Sequence, residues 1–191
     1  MDILLCIQLF GDIIMSEKPD VKVALATFEE RLIAGLIDYA IVWAAFIIGA
    51  IIQTILQIVL SSIPFVGILI GLVFYIIGLA AFFYVFVYMP YKQDGKTFGK
   101  KNKNIKIMFI DDEAKWTLRP VQEGDLGPLF IRAIVGGIEA TWIPVIIAWY
   151  FITNDKNSQR FADQIAKTVV VQCDSETGEP LKKPRAVVEK K

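Results

Sequence analysis

Four ionisable side chains stand inside or at the edge of runs that are otherwise apolar. Arg31 and Asp38 lie in RLIAGLIDYAIVWAAFIIGAIIQTILQIVL, and Arg132 and Glu139 lie in PLFIRAIVGGIEATWIPVIIAWYFIT. A charge in hydrocarbon costs about 2.5–3.5 kcal/mol on insertion scales, so each is a functional hypothesis by default. Arg31 and Asp38 are seven residues apart, two helical turns, which sets them on one helix face. Ala34 and Gly35 between them leave room for another backbone. Ala45, Gly49, Gln53 and Gln57 continue roughly the same stripe, a small and polar seam turned toward protein rather than lipid. The chemistry open to such residues is proton or cation exchange on Asp38 or Glu139. The plainer alternative is structural, with Arg31 reaching lipid phosphates, Asp38 pairing with it or with a neighbour, and Glu139 pairing with Arg132. A short carboxylate cannot snorkel far, which makes Asp38 the harder residue to dismiss. Histidine is absent, removing the commonest general base and metal ligand. Cys6 and Cys173 are lone residues without CxxC spacing. No nucleophile–base pair or metal-ligand spacing is visible, so neither an enzyme nor a metal or cofactor site is expected.

The elements that hold these residues follow from where charge is missing. The chain has 191 residues, is 55% hydrophobic and 21% charged, and carries no Asp, Glu, Lys or Arg between Tyr39 and Pro90. A soluble globule could not solvate such a run, so the chain reads as an integral membrane protein. The first span, about 31–60, would reach about 45 Å as a helix, long enough to leave its charged first turns at the interface. SSIP at 61–64 is the break, and a second span over 65–89 closes a helical hairpin. The third segment, 128–153, contains Gly136-Gly137 and Pro144, which permit either one straight span or two half-helices. The fold expected is an all-α membrane protein: a helical hairpin, a third broken or re-entrant membrane segment, and a short β-hairpin in the 91–127 loop. That hairpin is placed in NIKIMFIDDEAKWTL around Asp111-Asp112, at the membrane surface rather than as a buried core strand.

The zero net charge hides an asymmetry. Residues 91–119 hold eight Lys/Arg against four acids, and 154–191 hold eight against six. The positive-inside rule therefore makes the loop and the N-terminus cytoplasmic, and a re-entrant third segment returns the C-terminus to the same side. No basic block interleaved with aromatics speaks for nucleic acid. Residues 1–14 are too few to span, and read as a short interfacial helix or a start-site artefact within an N-terminal segment 1–30. Residues 172–191, ending in EPLKKPRAVVEKK, read as a disordered tail.

Three patches in order resemble a known family. Arg31-Leu-Ile-Ala-Gly-Leu-Ile-Asp38 resembles the opening helix of the RDD family of small membrane proteins, named for an arginine and two aspartates. Asp94-Gly95-Lys-Thr97-Phe-Gly99-Lys100 is similar to the family's loop after the second span. Gln159-Arg160-Phe-Ala-Asp163-Gln-Ile-Ala-Lys-Thr168-Val-Val resembles the segment with the second aspartate, at 154–171. The GKTFGK stretch lacks P-loop spacing and reads as a glycine turn that positions the hairpin. The resemblance covers about 31–171. It implies a multi-pass cell-membrane protein, with transport the activity usually suggested: a cation or proton exchanger using Asp38, Asp163 and Glu139, with Arg31 as counter-charge. The alternative is a non-catalytic accessory or assembly subunit in which the same charges form a latch. The partners expected are the lipid bilayer and either further copies of the chain or a larger membrane complex.

Overall fold

The computed structural model describes residues 23–60, 65–112, 115–142, 145–155 and 158–182. The expectations for residues 1–14, the SSIP break and Pro144 lie outside the described residues. Helix α1, Phe28–Val59, opens on a capping box: the Glu30 N–H donates to Thr27 Oγ1 (3.2 Å) and the Thr27 N–H donates to Glu30 Oε2 (3.0 Å). Two orphan donors are thereby satisfied, and Glu29 and Glu30 complement the positive end of the helix dipole. Helix α2, Val66–Phe83, runs through one π-helical turn, Tyr84–Tyr88, into α3, Met89–Lys92. Together these make a second apolar helix of 27 residues, Val66–Lys92. Both helices are long and apolar enough to cross a membrane, and only 6% of each apolar window is buried inside the protein. A core helix of a soluble fold would be mostly buried. Here Ile48, Ile51 and Ile55 of α1 and Leu69, Leu72 and Ile76 of α2 stand exposed, as a lipid-facing surface requires.

The seam expected on the first helix faces α2. Gln53 lies over Gly71, Gln57 lies over Gly67, and Gly49 receives the Phe74 ring. Bare glycine backbone on α2 lets the bulk of α1 approach, and a Cβ at Gly78 would overlap the Phe46 ring.

Beyond the hairpin the fold departs from all-α. Helix α4, Phe98–Lys103, leads into β1, Ile105–Asp112, which pairs antiparallel with β2, Thr117–Arg119. The expected hairpin is present, with Asp111 and Asp112 inside β1 rather than at its turn, and β1 also pairs with β3, Thr168–Gln172, giving a three-stranded sheet of order β2-β1-β3. β1 is thus a buried central strand, not a surface one. Ile105, Ile107 and Phe109 pack on Leu129, Ala133 and Val87, while Met108 packs on the other face with Trp116, Val169 and Val171. A strand covered on both faces reads as a nearly continuous apolar run, as Ile107 to Ile110 does. Lys106 within it is buried against Asp94 at 2.7 Å. The backbone before α1 also joins the sheet: the Ala26 N–H donates to the Val170 carbonyl, and the Gln172 N–H to the Ala24 carbonyl.

The stretch expected as a third membrane segment forms two helices, α5, Leu126–Trp142, and α6, Val145–Asn154. At 17 and 10 residues each is shorter than the roughly 20 residues of a crossing helix. The Gly136-Gly137 pair does not break α5. Gly136 makes room for the Arg160 guanidinium and Gly137 for the Phe82 ring. Helix α7, Phe161–Ile165, then turns the chain into β3. Residues 172–182 are not a disordered tail: Cys173 bridges to Pro180 around a turn in which Asp174 Oδ1 accepts from Glu176 and Thr177 N–H groups.

Candidate functional site

Asp163 is fully buried in the first turn of α7 and is the counter-ion of three arginines. Arg132 of α5 donates through Nε (2.8 Å) and lies with Nη2 2.7 Å from the same carboxylate oxygen, Oδ1. Arg31 of α1 reaches Oδ2 through Nη1 at 3.2 Å, and Arg160 Nε stands 3.6 Å from Oδ1. Burial alone would raise the Asp163 carboxyl, but the guanidiniums of Arg132, Arg160 and Arg31 outweigh it and hold the group well below the usual carboxylate range. Arg31 spends its other donors on backbone, Nε on the Ala26 carbonyl (3.1 Å) and Nη2 on the Val170 carbonyl (3.1 Å). One side chain thus joins the chain before α1, α7 and β3.

Asp38 is equally buried and equally occupied, with different partners. It accepts from the Thr97 hydroxyl and, at 2.8 Å, from the Gly99 N–H, so it caps the N-terminus of α4 from the membrane helix. Of the pairings open in the sequence, Arg31–Asp38 and Arg132–Glu139 do not form among the described residues, and Asp38 pairs with neighbours in the loop instead. Seven residues along a helix is about 10.5 Å, out of reach for a short carboxylate, so sharing a face does not amount to contact.

The loop motif now has a physical reading at each position. Gly95 has φ +76°, and a Cβ there would overlap the Ile107 carbonyl oxygen of β1. Thr97 is the N-cap of α4 and bonds Asp38. Gly99 packs directly on α1, where a Cβ would overlap the Ala34 carbonyl oxygen. Lys100 is turned inward, its Nζ 3.3 Å from Thr97 Oγ1, with no carboxylate within 4 Å among the described residues. Burial, then the nearby Arg132 guanidinium, push its ammonium down to about 7 although Asp38 opposes them.

Glu139 of α5 accepts the Ala162 N–H through Oε1 at 2.8 Å, tying α5 to the start of α7. Its other oxygen, Oε2, is buried without a hydrogen-bond partner among the described residues, and Arg160 Nε stands 3.8 Å away. All these groups converge on one cavity of about 280 Å³. Its charged lining comprises four cations, Arg31, Lys100, Arg132 and Arg160, and three acids, Asp38, Glu139 and Asp163. Every residue singled out by charge in the sequence is therefore in one place. Two further residues, quoted above only as members of the patch around Asp163 and given no role there, shape the site: Arg160, and Thr168, whose hydroxyl is 3.2 Å from Arg132 Nε. Arg160 lies outside the apolar runs, so nothing about its own charge was anomalous; its position three residues before Asp163 at a helix start was the available signal.

No curated protein and no solved structure matches the chain. A family model, described as the RDD family, matches residues 25–167. That range takes in the capped start of α1, the loop that docks on Asp38, and the α7 turn that carries Asp163. The chain belongs to the RDD family, a family of membrane proteins.

Proposed function

We propose that the chain is a small membrane transporter whose path runs through the charged cavity, with Glu139 as the carboxylate that exchanges a proton or cation. Asp38 and Asp163, the other two exchange candidates, have their oxygens taken by Thr97, Gly99 and the arginines, and act as scaffold. The observation that carries the reading is Glu139 Oε2: a buried carboxylate oxygen with no donor is where a proton or cation would reside. The charged groups around it are Arg160, Asp163 and Arg132, with the Tyr39 hydroxyl on α1. Two membrane-length helices enclose little pathway, so the working unit in this reading is a homo-oligomer or part of a larger membrane complex. By the positive-inside rule the basic 91–119 loop lies at the cytoplasmic face of the cell membrane.

A second reading, a non-catalytic accessory or assembly subunit, is favoured by Arg31. That side chain bonds the Ala26 and Val170 carbonyls and the Asp163 carboxylate, joining three separate segments, which is what a latch does. Flux of Na⁺, K⁺, Li⁺ and protons in proteoliposomes separates the two, with thermal stability recorded on the same samples. Transport predicts flux that Glu139→Gln abolishes in a stable protein, while Asp163→Asn loses stability. Absence of flux for every cation in folded wild type would sink the transporter and leave the accessory reading.

A further inference from the structure

We infer that the cavity binds a phosphate-bearing amphiphile, a membrane lipid whose phosphate meets Lys100 and Arg160 and whose chains leave over the start of α1. The inference does not rest on transport; a bound lipid serves a carrier and an accessory subunit alike.

The first observation is charge. Four basic side chains against three acids line the cavity, and a buried charge without a counter-ion is expensive. The surplus can be located. Asp163 is shared among Arg31, Arg132 and Arg160, and Asp38 is taken by Thr97 and Gly99. Lys100 is left with one hydroxyl contact. Arg160 approaches its two carboxylates most closely through Nε, at 3.8 Å from Glu139 and 3.6 Å from Asp163, and its side chain is 31% exposed. Its Nη2 end rests over the bare backbone of Gly136, where a Cβ would come within 3.3 Å. A phosphate between Lys100 and Arg160 would supply the charged partner that Lys100 lacks and a further anion for the exposed end of Arg160.

The second observation is the rim. The cavity is also lined by Phe28, Leu32 and Leu36 of α1, of which Leu36 is 60% exposed. This edge is continuous with the apolar face of a membrane-length helix. A site charged at its base and apolar at its mouth fits a molecule built the same way, not a free inorganic anion. The third is the unpartnered Glu139 Oε2 on the same wall, an acceptor awaiting a donor. A headgroup with a hydroxyl beyond its phosphate, as in phosphatidylglycerol, meets both needs. Phosphatidylcholine meets only one.

The test is lipid retention by the purified full chain in detergent, measured by native mass spectrometry across titrations with phosphatidylglycerol, phosphatidylcholine or inorganic phosphate. Phosphatidylglycerol should bind one per chain, with both other probes weaker by about tenfold or more, the factor of one lost charged hydrogen bond. Lys100→Gln should reduce it about tenfold. Gly35 gives an independent probe, because a Cβ there meets nothing within 4 Å. Gly35→Leu should fill the cavity and displace the lipid while the protein keeps its melting temperature. The exposed Lys101→Gln should leave retention unchanged. Equal retention of both lipids, or retention indifferent to Lys100→Gln and Gly35→Leu, would overturn the proposal as surface adsorption. Inorganic phosphate competing as tightly as the lipid would overturn the amphiphile in favour of a free anion.

Discussion

A single carboxylate facing three guanidiniums makes Asp163 the most consequential side chain of the cluster. Removing one partner of a buried ion pair leaves the remainder unneutralised and costs about 3–5 kcal/mol. Asp163→Asn should therefore lose about that much in unfolding measurements on detergent-solubilised protein. The same residue sets an acid dependence. Its folded-state carboxyl titrates below its unfolded value of about 3.9, so at low pH the unfolded chain binds the proton first. The Asp163 contribution is complete above that value and is lost as the pH falls toward the folded-state titration. Melting temperature recorded from pH 6 downward should drop below about pH 4 in wild type, and less steeply in Asp163→Asn. Arg31, Asp38, Arg132 and Glu139 were legible in the sequence because a charge in an apolar run is an anomaly. Their partners were not, because helical spacing reports a shared face and says nothing of the distant segment that docks on it.

At the scale of elements, the loop after the second helix is a built wedge between α1 and β1. Its two contacts with α1 are separable. Gly99→Ala forces a methyl into the Ala34 carbonyl and should destabilise by about 1–3 kcal/mol, the range for overpacking a tight contact. Thr97→Val deletes the α4 cap and strips one donor from buried Asp38, at about 1–3 kcal/mol for the unsatisfied group. Thr97→Ser keeps the hydroxyl and should restore most of that loss; urea or thermal unfolding of the three variants checks the order. The hairpin of β1 and β2 was readable because its turn is local. The third strand was not, since β3 lies about 60 residues further on and pairing at that separation leaves no local mark. Residues 172–182 read as disordered for a related reason: their turn is stabilised by backbone bonds to Ala24 and Gln172, not by apolar residues of their own.

For the whole molecule, the sheet is the constraint that matters. It gathers the backbone before α1, the strand after the second apolar helix, and the strand after α7. Three distant segments in one sheet must share a side of the membrane, so the stretch containing α5 and α6 should return to the side it left. Cysteines at Lys103 and Glu176, in a background with Cys6→Ala and Cys173→Ala, should label from the same face of oriented vesicles. Labelling from opposite faces would refute that topology. The hairpin itself was plain in the sequence, because a charge-free run from Tyr39 to Pro90 admits few other folds.

The division of the cluster into scaffold acids and a ligand-facing acid is tested most directly by thermal unfolding of Asp38→Asn, Asp163→Asn and Glu139→Gln side by side in one detergent. Asp163→Asn should melt about 10 °C lower, as a loss of about 3–5 kcal/mol implies for a chain of this size, and Asp38→Asn should fall by several degrees, as about 1–3 kcal/mol implies. Glu139→Gln keeps the oxygen that caps α7 and should stay near wild type. A Glu139→Gln protein that falls as far as the others, or an Asp163→Asn protein that does not fall, would contradict the division.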